Sequence, residues 1–434
     1  LRVFFSAGEA SGDAYGAEIF RALDREGAFS DVRLARQLAL DVQKWELGGE
    51  FSPVLIGDWI RNYYGGAFLS RLTPQSRIDD LVSEIAVDVS QGLIPSERLR
   101  GEVVSAVGGR LLRSAGVALV ADSSKWGAVG ILESVRVAPR VLGGYQQAKL
   151  RLGDTHQGLF LPIDFGYINV KLAQRAKRNG WKVLYFVPPG SWRREKQGSD
   201  LPSVTDAIVT PFPWSAEILR GMGANAHFFG HPLKQMVGPV EAGNPREGLA
   251  VMPGSRSHEV SRHLALAAET LADFQGTVRI IVAPNLDLSR VQESWIRFGG
   301  GEAEFRLDKY QALKESQAAI VCSGTATLEA ALCRCPTVVV YKVSPWAQLE
   351  YMVRRPQIEF VSLPNILLRR ALVPELLQWD AEPEPVLRQL ELLLEEGPAR
   401  QAQLEGFDEL DEVLGPSNAI DRTAQLALEM ADQS

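Results

Sequence analysis

The sequence predicts an α/β protein built of two doubly wound, Rossmann-like domains facing a cleft, with a helical C-terminal tail. Three observations carry this. Short β-rich runs alternate with helical patterns along the chain, which is the wiring of βαβ units around a mostly parallel sheet. The series restarts after a Gly/Pro-rich passage near 238–247, as a linker between domains would make it. The chain, at 434 residues and 46% hydrophobic, is long enough for two cores, since one domain usually takes on the order of 100–150 residues.

The first series reads VFFS near the amino end, VVSAV at 103–107, GLFLPID (158–164), KVLYFV (182–187), DAIVT (206–210) and NAHFFG (225–230). The second reads GLAVMP (248–253), TVRIIVAP (277–284), AAIVCSG (318–324) and CPTVVVYKV (335–343). The expected domains are therefore 1–238 and 239–374, each with its own sheet. Residues 31–102 fit neither series; they read as amphipathic helices inserted after the first βα unit, with an aromatic cluster of Trp59, Tyr63, Tyr64 and Phe68 that suits helix packing or contact with lipid. Residues 375–434 form an acidic tail of three helical stretches separated by Gly397-Pro398 and Gly415-Pro416, expected to pack across the domain junction.

Composition narrows the function classes. Three cysteines, Cys322, Cys333 and Cys335, sit in one short stretch without histidines at zinc-ligand spacing, so neither a disulfide framework nor a metal cluster is expected. No apolar run approaches the roughly 18 residues of a membrane span, and mean hydropathy is −0.05. The net charge of −7 argues against nucleic acid as a partner. That charge is uneven: 375–434 carries 15 acidic and 3 basic side chains, whereas 171–196 carries eight Lys/Arg against Glu195 alone. The basic stretch suits phosphates or anionic lipid heads, or equally a solvated helix face.

Three strand-to-helix turns carry the chemistry. The opening SAGEASGDAYGA bends through Gly8 and Gly12, with Ser11 or Asp13 available to cap the helix and Glu9 as the unusual charge in the turn. It is not GxGxxG, which disfavours a dinucleotide. In the second half, Pro253-Gly254-Ser255-Arg256 leads into a helix; dipole and guanidinium together suit a diphosphate. Ser323-Gly324-Thr325 forms the third turn, with Glu329 one turn further, where a carboxylate can accept both hydrogen bonds of a ribose diol. Asp164 ends the strand GLFLPID, at the edge where such sheets hold ligands, and can take a proton from an attacking hydroxyl; His231 is the rival base. No Asp-x-Asp occurs, so charge on a departing diphosphate would fall to Arg256 and helix N-termini rather than to a metal bridge.

The runs AGEASGDAYGA (7–17), AVGGRLLRSAGV (106–117), IDFGYIN (163–169), FFGHPL (228–233), PGSRSHEV (253–260), SGTATLEAALCRCP (323–336) and LPNILLRRALVPELLQ (363–378) resemble those of the lipid A disaccharide synthases, a family of two-domain glycosyltransferases of the B type (GT-B). The resemblance spans both domains and omits chiefly 31–102. It implies inverting transfer of 2,3-diacylglucosamine from its UDP conjugate to the 6-hydroxyl of 2,3-diacylglucosamine 1-phosphate, giving a β-1,6 disaccharide and UDP without cofactor or metal. It further implies Asp164 as base, Arg256 on the donor diphosphate, and Gly254, Ser255, Ser323, Gly324, Thr325 and Glu329 around UDP. Glu9, Ser11, Asn169, His231 and Asn365 would lie on the cleft or acceptor side. The family implies peripheral contact with the cytoplasmic face of the inner membrane, and in some members a homodimer.

Three departures fall in the acceptor-side domain. Asp164-Phe165-Gly166-Tyr167-Ile168-Asn169 stands where the family usually reads Asp-Ala-Pro-Asp-Phe-Asn; VPPGSWRREKQ (187–197) replaces a Trp-rich run; and 31–102 is inserted. The other readings are a GT-B enzyme on another UDP-sugar or acceptor, including a UDP-sugar 2-epimerase, and a catalytically silent lipid- or nucleotide-binding relative. Intact Asp164, Arg256 and Glu329 argue against silence.

Overall fold

The computed structural model describes residues 1–30, 33–34, 103–124, 126, 131–153, 157–241, 243, 245–342 and 359–432. The expected helical insertion at 31–102, with its aromatic cluster, lies outside the described residues except for positions 33 and 34. The chain divides into two compact units: Leu1–Gly127, Val137–Phe229 and Asn418–Ser434 form the first, Ala128–Arg136 and Gly230–Ser417 the second.

The first unit is a seven-stranded sheet of β1 (Val3–Ala7), β2 (Val104–Gly108), β3 (Ala118–Asp122), β4 (Leu159–Ile163), β5 (Lys182–Phe186), β6 (Ala207–Val209) and β7 (Ala226–His227). Its order is β3-β2-β1-β4-β5-β6-β7, and every pairing is parallel. β1 and β4 are buried throughout, which is why both read as continuous apolar runs rather than alternating ones. The helices between them are α1 (Ala10–Arg25), α2 (Arg110–Ser114), α3 (Ile131–Gly153, in this unit from Val137 onward), α4 (Gly166–Arg178), α5 (Leu201–Val204) and α6 (Pro213–Gly221). Phe4, Phe160, Leu172, Trp181 and Val183 anchor one of its cores.

The second unit repeats the plan with six strands, β8 (Leu249–Met252), β9 (Val278–Ile281), β10 (Glu304–Arg306), β11 (Ala318–Cys322), β12 (Thr337–Tyr341) and β13 (Glu375–Leu377). They are ordered β10-β9-β8-β11-β12-β13 and again all parallel. Its helices are α7 (Pro232–Val237), α8 (Ser257–Thr270), α9 (Leu288–Arg297), α10 (Lys309–Glu315), α11 (Thr325–Leu332), α12 (Leu363–Leu368), α13 (Pro383–Leu394) and α14 (Pro398–Val413). Alternation along β8 divides the core: Leu249 and Val251 face Ile280, Trp295 and Leu390, while Ala250 and Met252 face Leu313, Ala330, Cys333 and Cys335. All three cysteines are free and buried, and burial raises each thiol, Cys335 to about 12, so they act as small core side chains.

The 375–434 tail divides differently from the expectation. Glu375–Leu377 is an edge strand, because the Glu375 carboxylate accepts from Val361 N, Ser362 N, Ser362 Oγ and Asn365 Nδ2 and ties that segment to the sheet. α13 and α14 belong to the second unit, while α15 (Ala419–Asp432) belongs to the first. There it packs on α1, with Arg25 pairing to Asp421 at 2.9 Å and Lys182 Nζ donating to Met430 O at 3.0 Å. The unit boundary falls at Phe229/Gly230 rather than near 238, since α7 packs on α11 of the second unit.

Both sheets reverse strand order at one place, between β1 and β4 in the first and between β8 and β11 in the second. The register sets Ala7 beside Ile163 and Met252 beside Val321. The turns that leave these paired strand ends are therefore neighbours. A crevice at the carboxyl ends of such strands is where doubly wound sheets hold ligands.

Candidate active site

In the first unit the β1–α1 turn meets the β4–α4 turn. Gly8 is needed there because a Cβ at that position would run into the Phe165 ring. That ring lies 5.7 Å from Trp126. Glu9 is the N-cap of α1 but its side chain makes no capping bond. Neither Ser11 nor Asp13, the caps expected from sequence, fills that place. Asp13 is buried and serves another helix: its carboxylate accepts from Gly109 N at 2.6 Å, Leu111 N at 2.8 Å and Leu112 N at 3.2 Å at the start of α2. An anion there meets the positive end of the helix dipole.

Asp164 follows β4 in a left-handed stretch: φ is +45° at Asp164, +57° at Phe165 and +48° at Gly166. Only glycine takes this region freely, so two of these three residues are held in it by their surroundings. The carboxyl is half-buried and is pushed up to about 6, first by desolvation and then by the charge of Glu9, with the Phe165 amide opposing. A carboxylate tuned to that value is a far better proton acceptor near neutral pH than an ordinary aspartate.

Asn169, expected on the acceptor side, is fully buried. Its Nδ2 donates to the carbonyls of Ser6 at 2.9 Å, Ile163 at 3.1 Å and Asp164 at 3.0 Å, and its Oδ1 accepts from Ser6 Oγ at 2.6 Å. With both ends of the amide engaged inside the protein, a contact with substrate is ruled out. Tyr185, which sequence reasoning passed over, donates from Oη to the Asp164 carbonyl at 2.9 Å.

In the second unit the β8–α8 turn and the β11–α11 turn lie side by side. Gly254 has φ +113°, and a Cβ on it would come within 3.2 Å of Glu259 Oε2 and 3.4 Å of Cys322 Sγ, the end of the neighbouring strand. Arg256 is the N-cap of α8, and Nη1 pairs with Glu259 Oε1 at 2.9 Å. The turn is braced from two sides: Asn285 Nδ2 donates to Ser255 O at 2.7 Å, and His263 Nδ1 contacts Pro253 O at 2.8 Å while its Nε2 accepts from Lys342 N. Those partners fix the neutral tautomer with the proton on Nδ1, and burial lowers the imidazole's affinity for a second proton. Glu259, His263 and Asn285 were not singled out from sequence, although Glu259 and His263 share one face of α8 at four-residue spacing.

Gly324, exposed and at φ +133°, is the N-cap of α11, and Thr325 opens that helix. Both α8 and α11 thus begin at the crevice, an arrangement favourable to anions. Ser323 Oγ donates to Val361 O at 2.9 Å. Glu329 is buried, and its Oε1 receives Lys309 Nζ at 2.5 Å and Tyr310 Oη at 3.1 Å.

Two expected cleft residues are structural. His231 is buried, its Nδ1 caps α7 by accepting from Leu233 N at 3.2 Å, and desolvation holds its pKa at about 3, so it is no rival base. Asn365 is fully buried, donating to Val373 O and Glu375 Oε1 and accepting from Leu372 N and Val373 N. A cavity of about 490 Å³ lined by Lys234, Arg334, Asp408 and Asp411 includes none of the candidate residues. Among the described residues, no three His, Cys, Asp or Glu side chains gather as a metal site, and no helix is long and apolar enough to cross a membrane.

A sequence model of the family described as "Lipid-A-disaccharide synthetase" matches residues 94–429, so Glu9 and Ser11 fall outside that match. The lipid-A-disaccharide synthase of Anaeromyxobacter dehalogenans (strain 2CP-1 / ATCC BAA-258) is 34% identical over 385 residues, covering 82% of this chain and 98% of its own length. That of Pseudomonas syringae pv. tomato is 32% identical over 366 residues, 79% of this chain and 94% of its own. Among solved structures, Acinetobacter baumannii MurG overlays 75% of this chain and 90% of its own with a TM-score of 0.41 at 13% identity.

Proposed function

The chain belongs to the lipid-A-disaccharide synthetase family, and on that footing we propose that it joins UDP-2,3-diacylglucosamine to 2,3-diacylglucosamine 1-phosphate, releasing UDP and forming the β-1,6-linked disaccharide 1-phosphate. The observation that carries the reading is Asp164: an acid raised to about 6 at the strand-order reversal of the first sheet. It is suited to take the proton of the acceptor's 6-hydroxyl as that oxygen attacks the anomeric carbon. Attack opposite the leaving group inverts that carbon.

The donor's diphosphate is assigned to the second unit. Gly254, Ser255, Gly324 and Thr325 place backbone amides at two helix starts, and Arg256 adds a guanidinium. These groups stabilise the charge that builds on UDP as the glycosidic bond breaks. Glu329 and Ser323 are assigned to the nucleoside side of the same crevice, where the pairing of Glu329 with Lys309 and Tyr310 supports a fixed carboxylate.

Peripheral contact with the cytoplasmic face of the inner membrane belongs to this proposal too. It is supported by exposed rings with cations over them: Tyr167 is 72% exposed under Lys171, and Trp192 is 44% exposed beside Arg193. Such pairs suit a headgroup boundary.

Incubating the protein with both diacylated sugars and analysing products by mass spectrometry tests the reading. Equal amounts of UDP and disaccharide 1-phosphate are expected. UDP without disaccharide would overturn the assignment of the acceptor, and no UDP at all would overturn transfer.

A further inference from the structure

We propose that Asn169 is a positioning residue for Asp164, a single buried amide that locks the left-handed turn carrying the carboxylate. The inference rests on Asp164 being the base. Its grounds are geometric. A left-handed run of an aspartate and a phenylalanine persists only where neighbours over-determine it, and here the main chain of Asp164 is held on both sides. Its N–H donates to Phe186 O at 3.1 Å. Its carbonyl accepts from Asn169 Nδ2 at 3.0 Å and Tyr185 Oη at 2.9 Å.

The same Asn169 nitrogen reaches the carbonyls of Ser6 and Ile163, the ends of the two strands between which the sheet reverses order. It has two hydrogens for three acceptors, so the bonds are shared and fix one arrangement of the three carbonyls. The turn that holds the base is thereby referenced to the sheet rather than to a loop. Asn169 has no exposed surface, so it acts on turnover only through the groups it holds, and of these the Asp164 carbonyl belongs to the residue that carries the base. The groups that act on Asp164 are Glu9, by its charge, and Tyr185, through the backbone carbonyl.

The test is a set of variants assayed for UDP release across pH, with folding followed by circular dichroism. Asn169→Ala is expected to lower kcat about 100-fold, the scale of a misplacement near 1 Å, while KM for the UDP-sugar changes less than about twofold. Its acid limb should fall from near 6 toward an ordinary carboxylate value, because a released turn exposes the carboxyl to water. Tyr185→Phe, which deletes one oxygen, should show the same pattern at about 5-fold.

In an Asp164→Asn background, Asn169→Ala should cost nothing further, the non-additivity expected of residues acting through one another. An unchanged kcat and acid limb in folded Asn169→Ala would overturn the proposal, as would a full additional loss in the Asp164→Asn background. Should Asn169→Ala fail to fold, Tyr185→Phe decides, and wild-type kcat with a wild-type acid limb in it overturns the proposal. Near-normal turnover of Asp164→Asn itself sinks the base assignment and the positioning role together; an inactive Asp164→Asn beside an undisturbed Asn169→Ala sinks the positioning role alone.

Discussion

Asp164→Asn removes a charge while keeping the shape of the side chain, and its consequences run in opposite directions for turnover and stability. The carboxyl titrates near 6 in the folded protein against 3.8 ordinarily. Each pH unit between those values is worth roughly 1.4 kcal/mol, so ionised Asp164 costs the native state about 3 kcal/mol. Below pH 3.8 the group is neutral folded and unfolded, and the penalty is absent. As pH rises, the unfolded chain ionises first and gains, and above about 6 the full cost is present. A neutral amide at this position carries no such penalty. The variant should therefore match the parent in urea midpoint near pH 4 and exceed it by the equivalent of about 3 kcal/mol at pH 8. Its UDP release with both sugars present should fall about 100- to 10,000-fold, the usual worth of a positioned base. Equal stability at pH 8 together with retained turnover would refute the reasoning, for it would mean a solvated carboxylate with no part in proton transfer.

Glu9→Gln should move the acid limb of kcat/KM below 6, because the second cause of the Asp164 shift is lost while desolvation stays; a pH–rate profile checks the direction. Arg256→Ala should destabilise the protein by about 3 kcal/mol, since it leaves the Glu259 carboxylate buried without its guanidinium. Adding Glu259→Gln should restore the unfolding midpoint but not UDP binding by calorimetry, separating the ion pair from the ligand contact. Asp13→Ala strands three amide donors at the start of α2 and should cost about 3 kcal/mol in chemical denaturation. Gly8→Ala drives a methyl into Phe165 and should cost about 1–3 kcal/mol, with a disproportionate fall in kcat because the displaced ring borders Asp164.

The sequence showed the fold wherever both faces of a strand are buried, and lost part of it at the edges: NAHFFG was legible at one edge of the first sheet, whereas ALVAD at the other, only partly buried, was not. VFFS and LFLPI read as strands because each residue meets a core. Glu304–Arg306 did not, since an edge strand of three residues with charges at both ends has no pattern to offer. Glu375–Leu377 was hidden for another reason: its place depends on a carboxylate catching amides 13 and 14 residues earlier, which no local window contains. In the site, the turns at 8–13, 253–256 and 323–325 were legible from small residues between a strand and a helix. The supporting contacts were not. The family resemblance puts Asn169 and Asn365 on the cleft or acceptor side, yet each is buried and answers backbone groups brought to it by the fold. Asp13 looked like a cap for its own helix and caps one that begins 97 residues later.

Both units use the same device, a crevice where parallel strands reverse order, but they furnish it with opposite charge. The first brings two carboxyls, Glu9 and Asp164, to its turns, and desolvation, followed by the charge of Glu9, raises the proton affinity of Asp164. The second brings two helix starts and Arg256 to its turns and keeps the nearest carboxylate, Glu259, tied to that guanidinium. Sheet topology alone does not decide this, since the strand orders are alike. The difference lies in the turn that leaves each strand: after β4 a left-handed turn aims a side chain, whereas after β8 and β11 glycines at φ +113° and +133° expose main-chain amides. A base must be a side chain with a tuned proton, and a phosphate cradle is best made of amides that cannot titrate. On the proposed assignment of base and diphosphate, the two kinds of turn divide the chemistry between them by backbone conformation. Exchanging them, by Gly254→Asp or Asp164→Gly, should abolish turnover in either case, the first losing UDP binding and the second retaining it.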